Sequence, residues 1–321
     1  MKLQLKLGLA LAVVATGVTA QAQFTLFATE SQTGSLGGNT ALYGGIQQYG
    51  FATTGGAATA GAGLAASAVH DPVGLRAVGD KLYVGNRWGN QAGQGSVQQF
   101  TFDGTTLNFN QDISGNGLQR THGLDLNPVT GELYAVNAFS SGMSRFTQAA
   151  NVFTPNGVIN GGDWRDVLAS ADGTKLYVTE LNSTLRIFDL VNNTNTTFTV
   201  NGANAMHQMA WRNGSIYVTG FNSGTVHRID LDANGNATSS AVVANSNAAI
   251  GIAFSPDGQE MFVSGHTSNV INRFQLVNDV WTQTGSIDTG HNMGYLAVVP
   301  EPGSMALLGL GALAVLKRRR K

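Results

Sequence analysis

Histidine, arginine and amide side chains are the groups that could do chemistry in this chain of 321 residues, which holds six histidines and no cysteine. His122, Arg165 and His207 fall at one register of a repeating pattern, and His70 and His291 lie within three residues of that register. Neutral imidazoles can ligate a transition metal, and beside Arg165 they can instead hold an anionic group. Glu180, taken with Asn137, Asn222 and His207, offers a dispersed carboxylate and amide set for a metal. Asn86, Trp88, Asn137, Phe139, Phe221 and His266 put amides next to rings, which suits sugars, because rings stack on apolar sugar faces while amides pair with hydroxyls. Turn formation accounts for the asparagines equally well. The segment Asp230-x-Asp232-x-Asn234-Gly235-Asn236 opens like a calcium loop, but its twelfth position is Ala241 where a bidentate Glu belongs. No His-Glu-x-x-His, Gly-x-Ser-x-Gly or Gly-x-x-x-x-Gly-Lys pattern occurs, so no catalytic residue is assigned. The cofactor expectation is none, with calcium or a transition metal as the alternatives.

The elements that place these residues are repeats. Apolar cores with one aromatic each recur around Tyr83, Tyr134, Tyr177, Tyr217 and Phe262, at spacings of 51, 43, 40 and 45 residues. Periods near 40 to 45 in a sequence poor in helix-forming runs predict an all-β propeller whose blades hold about four strands each. A second apolar strand and a tight turn precede each core, as in Ile252-Ala253-Phe254-Ser255-Pro256-Asp257-Gly258, where Pro, Asp and Gly supply what a β-turn favours. Third strands follow at 96–102, 143–147, 184–190, 225–231 and 270–276.

Five blades read directly. The segment 293–298 resembles a first strand with no successor, whereas 24–30, 41–49 and 52–68 resemble strands two to four with no predecessor. Joined, they predict a sixth, composite blade that fastens the ends and removes exposed edges. Seven blades is the alternative, requiring a full extra blade between Gln23 and His70. The positions that open the innermost strands are then Val73, His122, Arg165, His207, Ile250 and Met293, which face the ring's funnel. The plain structural reading is that such positions border a wet channel and tolerate any polar residue.

The two ends of the chain serve a different purpose. Lys2 and Lys6 precede an apolar stretch from Leu7 to Val18, and Ala20-Gln21-Ala22 is a small-x-small site, so residues 1–22 predict a signal peptide cut by signal peptidase before Gln23. Beyond a body spanning 23–299, Val299, Pro300, Glu301 and Pro302 lead into an uncharged run from Gly303 to Leu316. The basic cluster Lys317, Arg318, Arg319, Arg320 and Lys321 closes the chain. At ~1.5 Å per residue a helix over that run reaches roughly 21 Å, short of the ~30 Å hydrocarbon core. The predicted hydrophobic helix therefore suits a temporary anchor, and the basic cluster holds its end on the cytoplasmic side.

The Pro-Glu-Pro signature, short apolar run and basic end, in that order, resemble the PEP-CTERM sorting tail of Gram-negative bacteria. The resemblance implies processing by an exosortase, transient anchoring in the inner membrane, and a destination at the cell surface or in an exopolysaccharide matrix. The units 176–189 and 216–230, with Ala253-Phe254-Ser255-Pro256-Asp257-Gly258, resemble the YVTN-type propeller repeat. That family includes surface-layer and binding proteins and lies near lactonase-like propellers, so the resemblance implies architecture more than activity.

Charge narrows the partners. Of 18 basic residues two precede Gln23 and five follow Leu316, while of 19 acidic residues only Glu301 lies outside 23–299, which leaves the body 11 basic, 18 acidic and at −7. Nucleic acid, which needs clustered Lys and Arg, is not an expected partner. The sequence thus predicts an exported, non-enzymatic propeller that binds or scaffolds, with a lactonase-like hydrolase using a metal or anion site on the funnel face as the alternative.

Overall fold

The computed structural model describes residues 23–30, 44–87, 94–139 and 142–301. The expected signal peptide, the C-terminal helix, the basic cluster, Pro302 and Trp88 lie outside the described residues. Among those described, no helix is long and apolar enough to cross a membrane.

Short β-rich runs separated by turns fold as meanders. The chain opens with β1 (Phe24–Glu30), β2 (Ile46–Phe51) and β3 (Ala58–Ala60), then makes five consecutive four-stranded sheets. Blade 1 holds β4 (Pro72–Val78), β5 (Lys81–Asn86), β6 (Ser96–Phe102) and β7 (Leu107–Ile113). Blade 2 holds β8 (Thr121–Leu126), β9 (Leu133–Asn137), β10 (Gly142–Ala149) and β11 (Val152–Ile159). Blade 3 holds β12 (Trp164–Ala169), β13 (Lys175–Glu180), β14 (Thr184–Asp189) and β15 (Thr194–Thr199). Blade 4 holds β16 (Met206–Arg212), β17 (Ser215–Gly220), β18 (Thr225–Leu231) and β19 (Ala237–Asn245). Blade 5 holds β20 (Ala249–Phe254), β21 (Glu260–Gly265), β22 (Val270–Val277) and β23 (Val280–Asp288). The last strand, β24 (Met293–Pro300), pairs antiparallel with β1, giving a sixth sheet in the order β24-β1-β2-β3.

The protein is a six-bladed propeller closed by a composite blade, and residues 23–70 supply three strands of that blade rather than a seventh one. Two details of the closing blade differ from the sequence reading. Its third strand begins at Ile46, and its fourth shrinks to three residues because the Gly- and Ala-rich stretch after Ala60 has few side chains to pack.

Neighbouring blades are held by two repeated devices. The aromatic of each second strand, Phe27, Tyr83, Tyr134, Tyr177, Tyr217 or Phe262, is buried. Several lie edge-on to a ring of the next blade, as Tyr177 does with Trp211 at 5.5 Å and Tyr217 with Phe254 at 5.0 Å. Burying one such ring contributes about 2–3 kcal/mol. The second device is a buried hydroxyl two residues further on. Thr179 Oγ1 accepts the Asp166 N–H of its own blade and donates to the His207 carbonyl of the next. Ser264 does the same between Gly251 and the Gly294 carbonyl, and Thr29 between Tyr295 and the Val73 carbonyl. Thr219 donates onward to the Ile250 carbonyl.

Polar side chains fill the centre of the ring. Arg76 of β4 reaches across to the Met209 carbonyl of the opposite blade at 3.2 Å, to the Leu124 and Val167 carbonyls at 3.1 Å each, and to Asp166 at 3.2 Å. Asp125, at the same register as Arg76 in the next blade, approaches its Nε at 3.5 Å and accepts the Ala169 N–H. Gln208 donates to the Leu75 and Leu296 carbonyls and accepts from Ile252 and Leu296, so all four of its hydrogen bonds go to three other blades. Tyr295 O–H donates across the ring to the Arg165 carbonyl at 2.9 Å. Room for this hub comes from glycine: a Cβ on Gly123 would sit 2.0 Å from Asp166, and one on Gly74 would sit 1.7 Å from the His122 carbonyl.

Candidate functional site

The innermost strands run in one sense around the axis, so their first residues surround a mouth on one face. Four of the six are preceded by a tight approach to the ring. Asp71, Arg120, Ala205 and Ala248, two residues before the opening positions, all have left-handed backbones with φ between 48° and 57°. Their carbonyls accept N–H groups from the turns that follow the second strands: Arg87, Ala138, Phe221 and His266. Non-glycine residues pay conformational energy there, and such strain gathers where a rim must be held in place.

His122, Arg165 and His207 stand at the mouth on β8, β12 and β16, as the register requires, but they do not border open water. They are 7%, 3% and 7% exposed. Burial, reinforced by Arg165 and Arg87, pulls the His122 imidazole well below the ordinary histidine range. Burial outweighs the Ala205 carbonyl, which accepts from His207 Nδ1–H at 2.8 Å, and lowers His207 to about 4. His266, from the turn after β21, is lowered too, by burial first and by Arg87. All three are neutral near pH 7. Phe221 stands between two of them, its ring 5.8 Å from that of His207 and 5.6 Å from that of His266. Arg165 is chelated by Asp163, Arg87 pairs with Asp71 at 2.6 Å, and the guanidiniums of Arg120 and Arg165 lie over the Phe139 ring at 4.7 and 5.0 Å.

Other residues singled out in the sequence go elsewhere. Glu180 is bound by Arg186 of β14 at 2.8 Å, and the carboxylate that acts on His207 is Asp163. His291 is exposed, with its carbonyl accepting from Thr289 Oγ1. His70 gives its backbone N–H to Asn86. Asn86 and Asn137 are fully buried, where they tie the strand-opening loops at His70 and Gln119 to third-strand hydroxyls at Ser96 and Ser144. They hold the scaffold and do not face the mouth. Asp232 accepts N–H groups from Asn234 and Asn236 as an ordinary turn residue, while Asp230 binds Ser215 and Arg228. Among the described residues no three His, Cys, Asp or Glu side chains come together as a metal group. Asp163 and the hub residues escaped the sequence reading. The available signal was a charge inside an otherwise apolar strand, with Arg76 and Asp125 one blade apart at equal register.

The opposite face carries both ends of the body. β24 starts at the mouth, where Met293 pairs with Glu30, and finishes at the far side, where Pro300 pairs with Phe24 and the Glu301 N–H reaches the Gln23 carbonyl at 3.0 Å. Val299 is 1% exposed, and Val299 and Pro300 at the start of the tail are the end of a strand of the ring, with Glu301 immediately after it. Residues 298–321 match the PEP-CTERM protein-sorting motif. The PEP-CTERM segment therefore begins inside the propeller, and the expected body boundary after Val299 falls within β24.

No curated protein matches the chain in sequence. Solved structures share its fold. One is a candidate 6-phosphogluconolactonase from Bacteroides uniformis, with 14% identity and TM-score 0.62, covering 87% of this chain and 100% of that one. A second candidate 6-phosphogluconolactonase, from Bacteroides fragilis, has 18% identity and TM-score 0.58, covering 84% and 83%. A chain of a nidogen/laminin complex has 9% identity and TM-score 0.65, covering 86% and 98%. At such identities the likeness is one of fold alone.

Proposed function

We propose that this chain is an exported, exosortase-processed propeller of the cell envelope that works by binding or scaffolding, with its mouth as the binding surface. The observation that carries this is the position of the PEP-CTERM segment. It leaves the ring at the face opposite His122, Arg165 and His207. A tether there directs the mouth away from the membrane, toward whatever lies outside. Export by a signal peptide at 1–22, a YVTN-type repeat, and residence at the surface or in an exopolysaccharide matrix belong to the same reading. Distant lactonase-like folds do not favour the hydrolase alternative, and Glu180, the carboxylate that alternative relied on, is engaged by Arg186.

The test is mass spectrometry of the protein exported by a host that carries an exosortase. The recovered protein should lack the apolar run and basic cluster. Exported protein that still ends in Arg318 to Lys321 would contradict the reading.

A further inference from the structure

The mouth holds polar atoms left over after the fold has made its own hydrogen bonds, and nearly all are acceptors. His122 is buried, and neither Nδ1 nor Nε2 has a partner among the described residues. His207 gives its Nδ1 proton to the Ala205 carbonyl, which can only accept, so Nε2 carries the lone pair. A backbone hydrogen bond to Met293 favours the proton on His266, while Nδ1 of that ring is buried without a partner and takes the lone pair. A neutral imidazole has one N–H and one lone pair. The trio thus presents an acceptor on every ring and a donor on His122 alone.

The rings share one neighbourhood, since Arg165 acts on His122 and His207, and Arg87 on His122 and His266. Both arginines resist any cation that would use the lone pairs, and no three metal-binding side chains come together among the described residues. Neither arginine is free for an anion, because Arg165 is held by Asp163 and Arg87 by Asp71. An anion would also meet lone pairs. What fits is an uncharged hydroxyl, which donates to a lone pair and accepts from an N–H. Phe221, half-buried between His207 and His266, adds an apolar surface that water alone cannot use. Such a ring stacks on the C–H face of a saturated ring.

We propose that the mouth binds a neutral hexopyranose unit. Its ring hydroxyls donate to His207 Nε2 and His266 Nδ1, its C–H face rests on Phe221, and its hydroxymethyl arm reaches His122, whose 7% exposure admits an arm and not a ring. This rests on the binding role proposed above and gives that role a ligand class.

Isothermal titration of the full chain, treated with EDTA and held in a non-glycosidic detergent, tests it with the methyl pyranosides of D-glucose, D-galactose and D-mannose. At least one should bind. The 6-deoxy counterpart of the best binder, which lacks the arm, and its C6 uronate, which is an anion, should each be weaker by about tenfold or more. His122→Phe, with an unchanged circular dichroism spectrum, should weaken the best binder by about tenfold or more. If that variant fails to fold, Phe221→Ala reads the same site from a half-buried turn position and should show the same loss. Three outcomes overturn the assignment: no saturable binding of any of the glycosides by about 10 mM, a 6-deoxy or uronate counterpart that binds as tightly, or unchanged affinity in a folded variant. Silence toward all of them in a protein that is correctly sorted refutes this site and leaves the sorting intact.

Discussion

Replacing Arg76 by Met isolates the contribution of the hub. The substitution keeps an unbranched side chain of similar length and removes the cation that Asp125 and Asp166 share. It also strips donors from the Leu124, Val167 and Met209 carbonyls. Breaking one side of a buried ion pair costs about 3–5 kcal/mol, and at roughly 2–4 °C per kcal/mol for a domain of this size the melting temperature should fall by about 10 °C. The pH dependence is the sharper readout. Burial already raises Asp166 to about 7 against the pull of Arg76, and burial also raises Asp125. Without the guanidinium both rise further. A carboxyl raised above its unfolded value contributes stability that is present at low pH and lost as pH climbs through the folded value. The deficit of the variant should therefore be smaller at pH 5 and widen from about pH 7 upward, measured by denaturant titration at pH 5 and 8.5. A deficit below about 1 kcal/mol, or one equal at both pH values, would refute the hub as a buried charge network.

Other expectations can be checked on the same protein. His207→Phe should reveal the cost of a histidine kept neutral. The wild type has a folded value of about 4 against 6.5 for a free imidazole, so its unfolded chain takes the proton first as pH falls. Relative to the variant it should lose about 3 kcal/mol between pH 6.5 and 4, read from paired melts. Thr179→Val removes a hydroxyl that bridges two blades and should cost about 1–3 kcal/mol by urea unfolding, through the orphaned Asp166 N–H and His207 carbonyl. Processed protein should retain Val299, Pro300 and Glu301 at its C-terminus by intact mass, because these residues are laddered to Gln23 and β1. A product ending before Val299 would contradict that.

Where side chains repeat, the sequence spoke clearly. The aromatic of each second strand, the turn before it and the third strand after it recur because each blade must bury the same surface, and the composite blade follows from an unpaired first strand at one end and orphaned strands at the other. Thr179, Thr219 and Ser264 sat in plain view in that repeat as the Thr or Ser after the valine, yet their reach to the next blade is a tertiary fact. The outermost strands were harder to see, since a stretch such as Thr194–Thr199 is exposed and carries almost no apolar pattern. At the site, the common register of His122, Arg165 and His207 was legible. Their burial was not, for it depends on a hub assembled from five different blades, and no local pattern encodes which long polar side chain will cross an axis.

Because Glu301 and Gln23 leave side by side, any pull on the sorting segment enters the molecule along β24, the one innermost strand whose hairpin partner comes from the other end of the chain. Force applied there slides β24 against β1, so the backbone bonds of that pair share the strain together, as do the links from Thr29 to the Val73 carbonyl and from Leu296 to Gln208 in other blades. The ring's seam is thus also its mooring, and a propeller pulled by this segment would meet the load with its paired seam at the point where an open chain would be weakest.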